Sequence, residues 1–312
     1  MNPRQRAVLA ALVRGPVEPA ALGDRLELPA AAVVSHVDAL REHGFGIERG
    51  SEGFVLEAVP DYGYGVQAGL DAPFVVDYHE ALDSTNDRAR ELAERGETDV
   101  AVLADEQTGG RGRRGRAWAS PPGGVYCSLL LRPMLSPDRL AVLTLAAAVS
   151  AAEAVEAVGI EATGKWPNDL LGPDGRKLAG VLAESATAGG AVEWAVVGLG
   201  LNANVDADAL PAEATSLREL AGEPVDRRAV TQAYLEAFDA WRRDPDGVVD
   251  AWRARSSTLG ERVWVRTAAG ELVGTASAIE ADGTLVVETD DGPRRVAAGD
   301  CEHLRPVDGS GA

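Results

Sequence analysis

The sequence predicts an α+β protein of several domains, because three different patterns follow one another along its 312 residues. Residues 1–58 show helical spacing followed by two short strands, residues 73–256 alternate strands with helices, and residues 257–306 contain short β runs between turns. A chain of this length is long for one compact domain and comfortable for two or three. Residues 59–72 are predicted to form a linker and residues 307–312 a disordered tail.

The first segment has the pattern of a winged helix-turn-helix domain. Two short helical stretches precede a helix predicted over residues 30–43, in which Val33 and Val37 share one face. Two short strands within residues 47–56 then turn back on each other. This order of elements is typical of DNA-binding domains, and the alternative is a small helical interaction domain.

The predicted recognition helix lacks the chemistry that usually reads DNA. It begins Pro29-Ala-Ala-Ala-Val-Val-Ser35, whereas such helices expose basic or amide side chains at their start. Glu52 stands at the tip of the predicted wing, and Arg41, Arg49 and His36 are the cationic candidates that remain. We therefore expect weak DNA binding, binding to an unusual site, or a role in protein interaction alone.

The middle segment alternates strands with helices. Strands are predicted at residues 74–79, 100–106, 124–132, 178–186 and 194–202, and helices at residues 85–95, 139–158 and 227–255. Such alternation is typical of a sheet whose faces are covered by helices. The last helix is predicted to break at Asp244-Pro-Asp-Gly247.

The last segment predicts a small SH3-like β-barrel. Its β runs lie at residues 263–266, 272–279, 285–289 and 294–298. Ala-Gly, Asp-Gly and Asp-Asp-Gly sequences separate these runs and are typical of tight turns between antiparallel strands.

The composition is strongly acidic and almost free of lysine. The formal net charge is -19, and Lys165 and Lys177 are the only lysines. Such a charge disfavours broad affinity for nucleic acids or anionic membranes. The composition resembles that of halophilic archaeal proteins, in which salt screens the repulsion between surface carboxylates.

Cysteine usage and hydropathy predict a cytoplasmic protein with no membrane partner. Cys127 and Cys301 lie far apart, and no CxxC or Cys/His spacing suggests a zinc site. We expect both thiols to be reduced and buried in the core. No stretch of the sequence is long and apolar enough to span a bilayer.

A local cationic loop interrupts this acidic chain. Between Gln107 and Trp118 lie four arginines, at positions 111, 113, 114 and 116, together with four glycines. Glycine lets backbone N–H groups approach a phosphate closely, and the arginine fork pairs with phosphate oxygens. The loop therefore predicts a site for a compact anion. The alternatives are a flexible Gly/Arg loop and an RNA-binding segment.

The loop and four further motifs resemble the biotin protein ligases. These motifs occur in that family's order and at similar spacing: Asp83-Ser-Thr-Asn86, Gly164-Lys-Trp-Pro-Asn-Asp-Leu170, Arg176–Glu184 and Gly198-Leu-Gly-Leu-Asn202. The resemblance covers residues 72–255, and it implies a class II synthetase-like α/β catalytic domain with a mixed sheet. The two ends of the chain resemble the bifunctional members, which also repress the biotin operon.

The resemblance implies an ATP-dependent ligase that activates biotin to biotinyl-5′-AMP. It then transfers the biotin to a lysine on the biotin carboxyl carrier domain of an acyl-CoA carboxylase. The implied biotin contacts are Ser84, Thr85, Asn86, Gln107, Arg111, Gly112, Arg113 and Lys177. Residues 84–86 are equally typical of a helix N-cap, and the two roles are compatible. In the family the cationic loop is mobile without ligand and folds over the intermediate.

The implied contacts to ATP or the adenylate are Arg111, Arg113, Trp118, Lys165, Asn168, Asp169 and Asn202. Lys177 and Arg113 are the implied catalytic residues, because cations must neutralise two anions that converge. Mg²⁺ is expected to arrive with ATP, with Asp169 and Asn202 as candidate oxygen ligands. Trp118 is expected to stack on adenine, and the alternative is a buried core tryptophan.

Two other functions fit the same residues. One is a lipoate or octanoyl ligase of the same fold, and the other is a biotin-sensing transcriptional regulator without ligase activity. The resemblance to the bifunctional members also implies operator DNA and a second copy of the chain as partners.

Overall fold

The N-terminal helices and hairpin lie where the sequence predicts them. The computed structural model describes residues 1–133 and 135–304, so the predicted tail at 307–312 lies outside the described residues. The first elements are α1 (Pro3–Arg14), α2 (Pro19–Leu26), α3 (Ala30–Glu42), β1 (Gly46–Gly50) and β2 (Gly53–Ala58). Their apolar faces meet in a separate small core, to which Leu9, Val33 and Phe54 contribute fully buried side chains.

The segment predicted to be a linker packs against the domain that follows it. Residues 63–67 form a 3-10 helix, and the side chains of Tyr62 and Val66 belong to the main hydrophobic core. The side chain of Gln67 accepts a hydrogen bond from the amide of Val76 at 2.9 Å and donates one to the carbonyl of Phe74 at 3.3 Å. Glycine and proline give this segment the composition of a linker, but its buried apolar residues pack with the domain that follows.

A mixed seven-stranded sheet forms the centre of the described residues. Its strands are β3 (Val75–Leu82), β4 (Val100–Gln107), β5 (Val125–Leu131), β6 (Thr163–Lys165), β7 (Asp169–Leu171), β8 (Lys177–Ala188) and β9 (Ala191–Leu201). The strand order is β3-β4-β5-β9-β8-β7-β6. Strands β3 and β4 are parallel, and the other neighbours are antiparallel. Strands β6 and β7 were not predicted, because three residues are too few to show a period.

Helices cover both faces of this sheet. They are α4 (Thr85–Glu94), α5 (Leu140–Glu156), α6 (Leu217–Ala221), α7 (Arg227–Trp241) and α8 (Pro245–Ala254). On β4, Val100 and Val102 pack in the cluster beneath α4, whereas Ala101 and Leu103 pack in the main core with α5. A strand buried on both sides reads as a continuous apolar run, as this one does. Among the helices of the described ranges, none combines the length and hydropathy needed to cross a bilayer.

The C-terminal segment forms a five-stranded antiparallel sheet. Its strands are β10 (Arg262–Thr267), β11 (Gly270–Ile279), β12 (Leu285–Thr289), β13 (Gly292–Val296) and β14 (Asp300–His303). The order is β13-β12-β11-β10-β14, so the last strand pairs with the first. Strand β14 was not predicted, because its four residues Asp-Cys-Glu-His lack an apolar alternation.

Trp166 joins the C-terminal sheet to the catalytic domain. Its indole is 2% exposed, and Nε1 donates a hydrogen bond to the carbonyl of Gly283 at 3.1 Å. Its backbone amide donates to Oγ1 of Thr258 at 3.0 Å, and that hydroxyl lies 3.2 Å from Nε2 of His303. The two domains are therefore connected through one buried side chain with satisfied polar groups.

We predict that Trp166→Ala lowers the free energy of unfolding by about 3–5 kcal/mol, because it leaves a cavity and removes a buried hydrogen bond. Chemical denaturation measures this change. Trp264→Ala is the matched control, because that indole is only partly buried and stacks on Arg266. An equal loss in both variants would contradict the anchoring role of Trp166.

Candidate functional site

A cavity of about 260 Å³ opens on the mixed sheet. The start of α4, the cationic loop after β4, strands β7, β8 and β9, and residues 210–214 enclose it. Its lining includes twelve residues predicted from the sequence: Ser84, Thr85, Asn86, Gln107, Arg111, Gly112, Arg113, Trp118, Asn168, Asp169, Lys177 and Asn202. Lys165 is the exception, because it is not part of this lining.

Hydroxyl and amide groups form a connected network at the α4 end of the cavity. Oε1 of Gln107 accepts hydrogen bonds from the amide and the hydroxyl of Thr85, at 2.8 and 3.0 Å. The hydroxyl of Ser128 contacts Oγ1 of Thr85 at 2.7 Å and Oδ1 of Asn86 at 2.6 Å. Ser84 caps α4 by accepting from the amide of Asp87, so residues 84–86 combine capping with lining the cavity.

Asn86 is fixed from two sides. Its Nδ2 donates to Oε2 of Glu184 at 2.6 Å, and its Oδ1 lies against the bare backbone of Gly198. A Cβ at position 198 would overlap that oxygen. Glycine at this position leaves room for the Asn86 amide. This steric requirement explains the first glycine of the Gly-Leu-Gly-Leu-Asn motif.

The indole of Trp118 lies against two paired glycines. Gly180 on β8 and Gly200 on β9 are cross-strand partners, and both bare backbones contact the indole. Nζ of Lys177 lies 4.9 Å from the ring centroid, at a cation–π distance. The indole Nε1 is buried and has no hydrogen-bond partner. Trp118 thus forms part of the cavity floor and leaves one donor unused.

Lys177 and Arg113 reach the cavity in different ways. Nζ of Lys177 forms an ion pair with Oδ1 of Asp169 at 2.7 Å. Arg113 donates to Oδ1 of Asn168 at 3.3 Å, and Nδ2 of Asn168 donates to the carbonyl of Val181 at 2.8 Å. Burial lowers the pKa of the Arg113 guanidinium below its usual value, because desolvation disfavours the charged form. Asn168 therefore holds Arg113 in place.

The cationic loop is ordered by internal hydrogen bonds and by carboxylates. The amide of Gly112 donates to the carbonyl of Arg116 at 2.7 Å, and that of Trp118 donates to the carbonyl of Gly110 at 2.9 Å. Arg111 forms an ion pair with Asp87 on α4. Arg114 and Arg116 both form ion pairs with Asp300 on β14. These contacts define the conformation of the loop in the structure.

Asn202 offers a buried acceptor. Its Nδ2 donates to the carbonyl of Thr215 at 3.0 Å, which fixes the orientation of the amide. Its Oδ1 is buried without a partner. A free acceptor suits a cation or an N–H donor and repels a phosphate oxygen. Within residues 1–133 and 135–304, no three His, Cys, Asp or Glu side chains are placed to hold a metal ion.

Lys165 lies beside the C-terminal sheet instead. It pairs with Asp169 across β6 and β7, and its charge acts on Cys301 and His303. Burial raises the pKa of the Cys301 thiol to about 11.

Four residues that hold the site were missed by sequence reasoning: Asp87, Ser128, Glu184 and Asp300. Glu184 ends a recognised motif, and Asp87 directly follows another. The motifs beside them could therefore have indicated that these two residues belong to the site. Ser128 and Asp300 lie in strands with no local cue, and only the fold brings them to the site.

A mixed sheet whose cavity is lined by cations, amides and hydroxyls is the kind of site that binds an anionic substrate. Comparisons with known proteins give the particular family. Residues 78–202 match the biotin/lipoate A/B protein ligase family, and residues 258–304 match the biotin protein ligase C-terminal domain. The chain belongs to the biotin protein ligase family.

Individual relatives agree with this assignment. The chain is 34% identical over 300 residues to the bifunctional ligase/repressor BirA of Bacillus subtilis, covering 90% of this chain and 92% of that protein. It is 37% identical over 218 residues to the biotin–[acetyl-CoA-carboxylase] ligase of Paracoccus denitrificans, covering 66% of this chain and 90% of that protein.

A solved structure supports the fold. The biotin protein ligase of Aquifex aeolicus in complex with biotin and ATP superposes with a TM-score of 0.65 at 29% identity. The match covers 75% of this chain and 99% of that chain.

We predict that Gly200→Ala displaces Trp118 and loosens the cationic loop. A methyl group would lie 2.5 Å from the indole Nε1, and such overpacking costs about 1–3 kcal/mol. Hydrogen exchange across residues 109–118 should become faster. Gly180→Ala is the matched control, because its Cβ would approach the indole only to 3.3 Å. Unchanged exchange in Gly200→Ala would show that the indole does not hold the loop.

Proposed function

We propose that this chain is an ATP-dependent biotin protein ligase that acts on a lysine of a biotin carboxyl carrier domain. The observation that carries the proposal is the convergence of Lys177 and Arg113 with the polar network of α4 on one cavity. The family, the named relatives and the biotin and ATP in the Aquifex aeolicus complex all support it. Biotin and ATP are its substrates.

The α4 end of the cavity suits the ureido ring of biotin. That ring carries one carbonyl acceptor and two N–H donors, and it therefore needs both kinds of partner. Ser128, Thr85 and Asn86 provide hydroxyl and amide groups in a chain of short hydrogen bonds. Such a buried network is pre-oriented, so binding the ring does not require these side chains to be ordered first.

The cations support the first step, in which the biotin carboxylate attacks the α-phosphorus of ATP. The O–P bond to biotin forms as the bond to pyrophosphate breaks, and negative charge gathers between two anions. Lys177 would stabilise this charge once its ammonium leaves Asp169 and contacts substrate oxygens. Arg113, which has no carboxylate partner among the described residues, would contact the phosphate directly. Fixed cations in a desolvated site stabilise such a transition state strongly.

Mg²⁺ fits this site as an ion carried by ATP. The free oxygen of Asn202 and the carboxylate of Asp169 are hard oxygen ligands of the kind Mg²⁺ prefers. A bound Mg²⁺ would neutralise phosphate charge. The described residues provide too few carboxylates for a cage built by protein alone, which agrees with an ion that arrives on the nucleotide.

In the second step an acceptor lysine attacks the mixed anhydride. Its amine forms a C–N bond with the biotin carbonyl carbon, AMP leaves, and the amine loses a proton. The anhydride must be shielded from water until then. The cationic loop and Trp118 form one wall of the cavity, and they are placed to exclude solvent from the intermediate.

The decisive experiment offers the protein a biotin carboxyl carrier domain with ATP and either biotin, lipoate or octanoate. A gain of the mass of biotin, dependent on ATP, supports the proposal. Transfer of lipoate or octanoate would support the rival ligase. Tight biotin binding without any transfer would support a regulator that lacks ligase activity.

We predict that Lys177→Ala slows adenylate formation by roughly 10²–10³ with the fold intact, because the cation between two anions is lost. Biotin-dependent pyrophosphate release measures this rate. Lys165→Ala removes the same charge outside the cavity, and we expect a smaller effect. Pyrophosphate release at the wild-type rate in Lys177→Ala would refute the role of this lysine. If Lys165→Ala slows adenylate formation as much as Lys177→Ala does, the ATP contact predicted for Lys165 is supported.

The proposal also includes an assignment of three domains. Residues 1–58 form a winged helix-turn-helix domain, residues 59–256 the catalytic domain and residues 257–304 an SH3-like domain. Three helices with a hairpin support the first assignment, and the closure of β14 onto β10 supports the last. Relatives named as bifunctional ligase/repressors make operator DNA a candidate partner and a homodimer a candidate state.

The structure gives a physical reason for weak DNA binding. The exposed face of α3 begins with Ala30 and Ala31 and continues with Ser35 and Asp38. Arg41, a cationic candidate, donates to the carbonyl of Ile47 and pairs with Asp38. Its charge is thereby committed within the domain.

We predict that the full chain binds duplex DNA with a shallow salt dependence, because few side chains meet phosphates. The plot of log affinity against log salt should have a slope below about 3, since each phosphate contact contributes about 0.9. Ser35→Arg should steepen the slope. A steep slope in the unmodified protein would show that other cations form the DNA surface.

A further inference from the structure

The tip of the cationic loop is bound by the C-terminal sheet. NH1 of Arg114 lies 3.0 Å from Oδ2 of Asp300, and NH2 of Arg116 lies 3.2 Å from Oδ1. Each carboxylate oxygen therefore holds one arginine. Arg114 also donates to the carbonyl of Arg266 at 3.2 Å, which fixes its guanidinium against β10.

The local backbone follows this contact. Arg114 has a φ of 54°, in the left-handed region that side chains with a Cβ rarely adopt. Such a conformation has a cost, and it persists where surrounding contacts determine it. The Asp300 carboxylate is only 20% exposed beneath its two partners. The loop tip is thus turned outward toward the sheet by specific contacts.

This contact separates neighbouring arginines by function. Arg114 and Arg116 pair with Asp300, and Arg116 also lines the cavity, whereas Arg113 lines the cavity and donates to Asn168. An uncommitted pair of guanidiniums beside Arg113 would repel it and compete for the same anion. Neutralising this pair leaves Arg113 as the arginine of residues 113–116 that has no carboxylate partner among the described residues.

We propose that Asp300 is a positioning residue of the ligase reaction. It fastens the tip of the cationic loop to the C-terminal sheet and thereby directs Arg113 into the cavity. This inference rests on the proposed function for its kinetic consequences. The C-terminal sheet then contributes to the active site from outside the cavity, through two arginines that it holds.

Asp300→Asn tests this directly, because it keeps the shape of the side chain and removes its charge. Without ligand, hydrogen exchange across residues 109–118 should become faster. The kcat/KM for ATP should fall on the order of tenfold, since misplaced positioning groups reduce catalysis to at least that extent. Asp300→Glu should recover most of both properties. Glu280→Gln is the matched control, because it breaks the exposed pair with Arg295 in the same sheet, away from the loop.

A double-mutant cycle separates positioning from general stability. If Asp300 acts through the loop, Asp300→Asn should add nothing in the Arg114→Gln, Arg116→Gln background. Additive effects, unchanged loop exchange, or an equal change in Glu280→Gln would each overturn the proposal. The exchange measurement uses no substrate. If the ligase assignment is wrong, only the labelling assay will show it. If the contact of Asp300 with Arg114 and Arg116, the clamp, does not position the loop, the exchange data will show it.

Discussion

The site depends on placing several cationic side chains around one cavity while their mutual repulsion is offset within the protein. Like charges at such distances repel strongly in a partly desolvated site. The structure answers with a partner for each: Asp169 for Lys177, Asp87 for Arg111, and an amide for Arg113. These partners keep the cations oriented. A strongly acidic chain is well suited to supply such carboxylates.

The segment containing Trp166 links the stability of the molecule to this arrangement. Its indole anchors the C-terminal sheet, while Asn168 and Asp169, two and three residues later, contact Arg113 and Lys177. A shift of the sheet would therefore be transmitted along a very short length of backbone. The sheet also holds the loop through Asp300, so two independent contacts lead from the C-terminal domain to the cavity. The small domain is thus mechanically part of the active site.

Local sequence was sufficient for most of the fold and for twelve residues of the cavity lining. Long strands and helices carry a clear period, and the motifs around Asn86, Lys177 and Asn202 lie where chain segments enter the site. Short strands have too few residues for a period. The clamp joins Arg114 to Asp300, 186 residues away, and Ser128 meets Asn86 across 42 residues. Such pairs depend on the register of strands, which a single sequence does not display.

The shortage of lysine has a consequence for the enzyme's own surface. A mixed anhydride of a carboxylic acid acylates the primary amines of any protein. Adenylate released from the site is closest to the amines of the enzyme itself. This chain presents only two side-chain amines, and one of them is held against a carboxylate inside the cavity. Arginine, which carries nearly all the remaining positive charge, is a poor nucleophile because it stays protonated. The chain therefore offers a reactive acyl-adenylate few side-chain amines to modify.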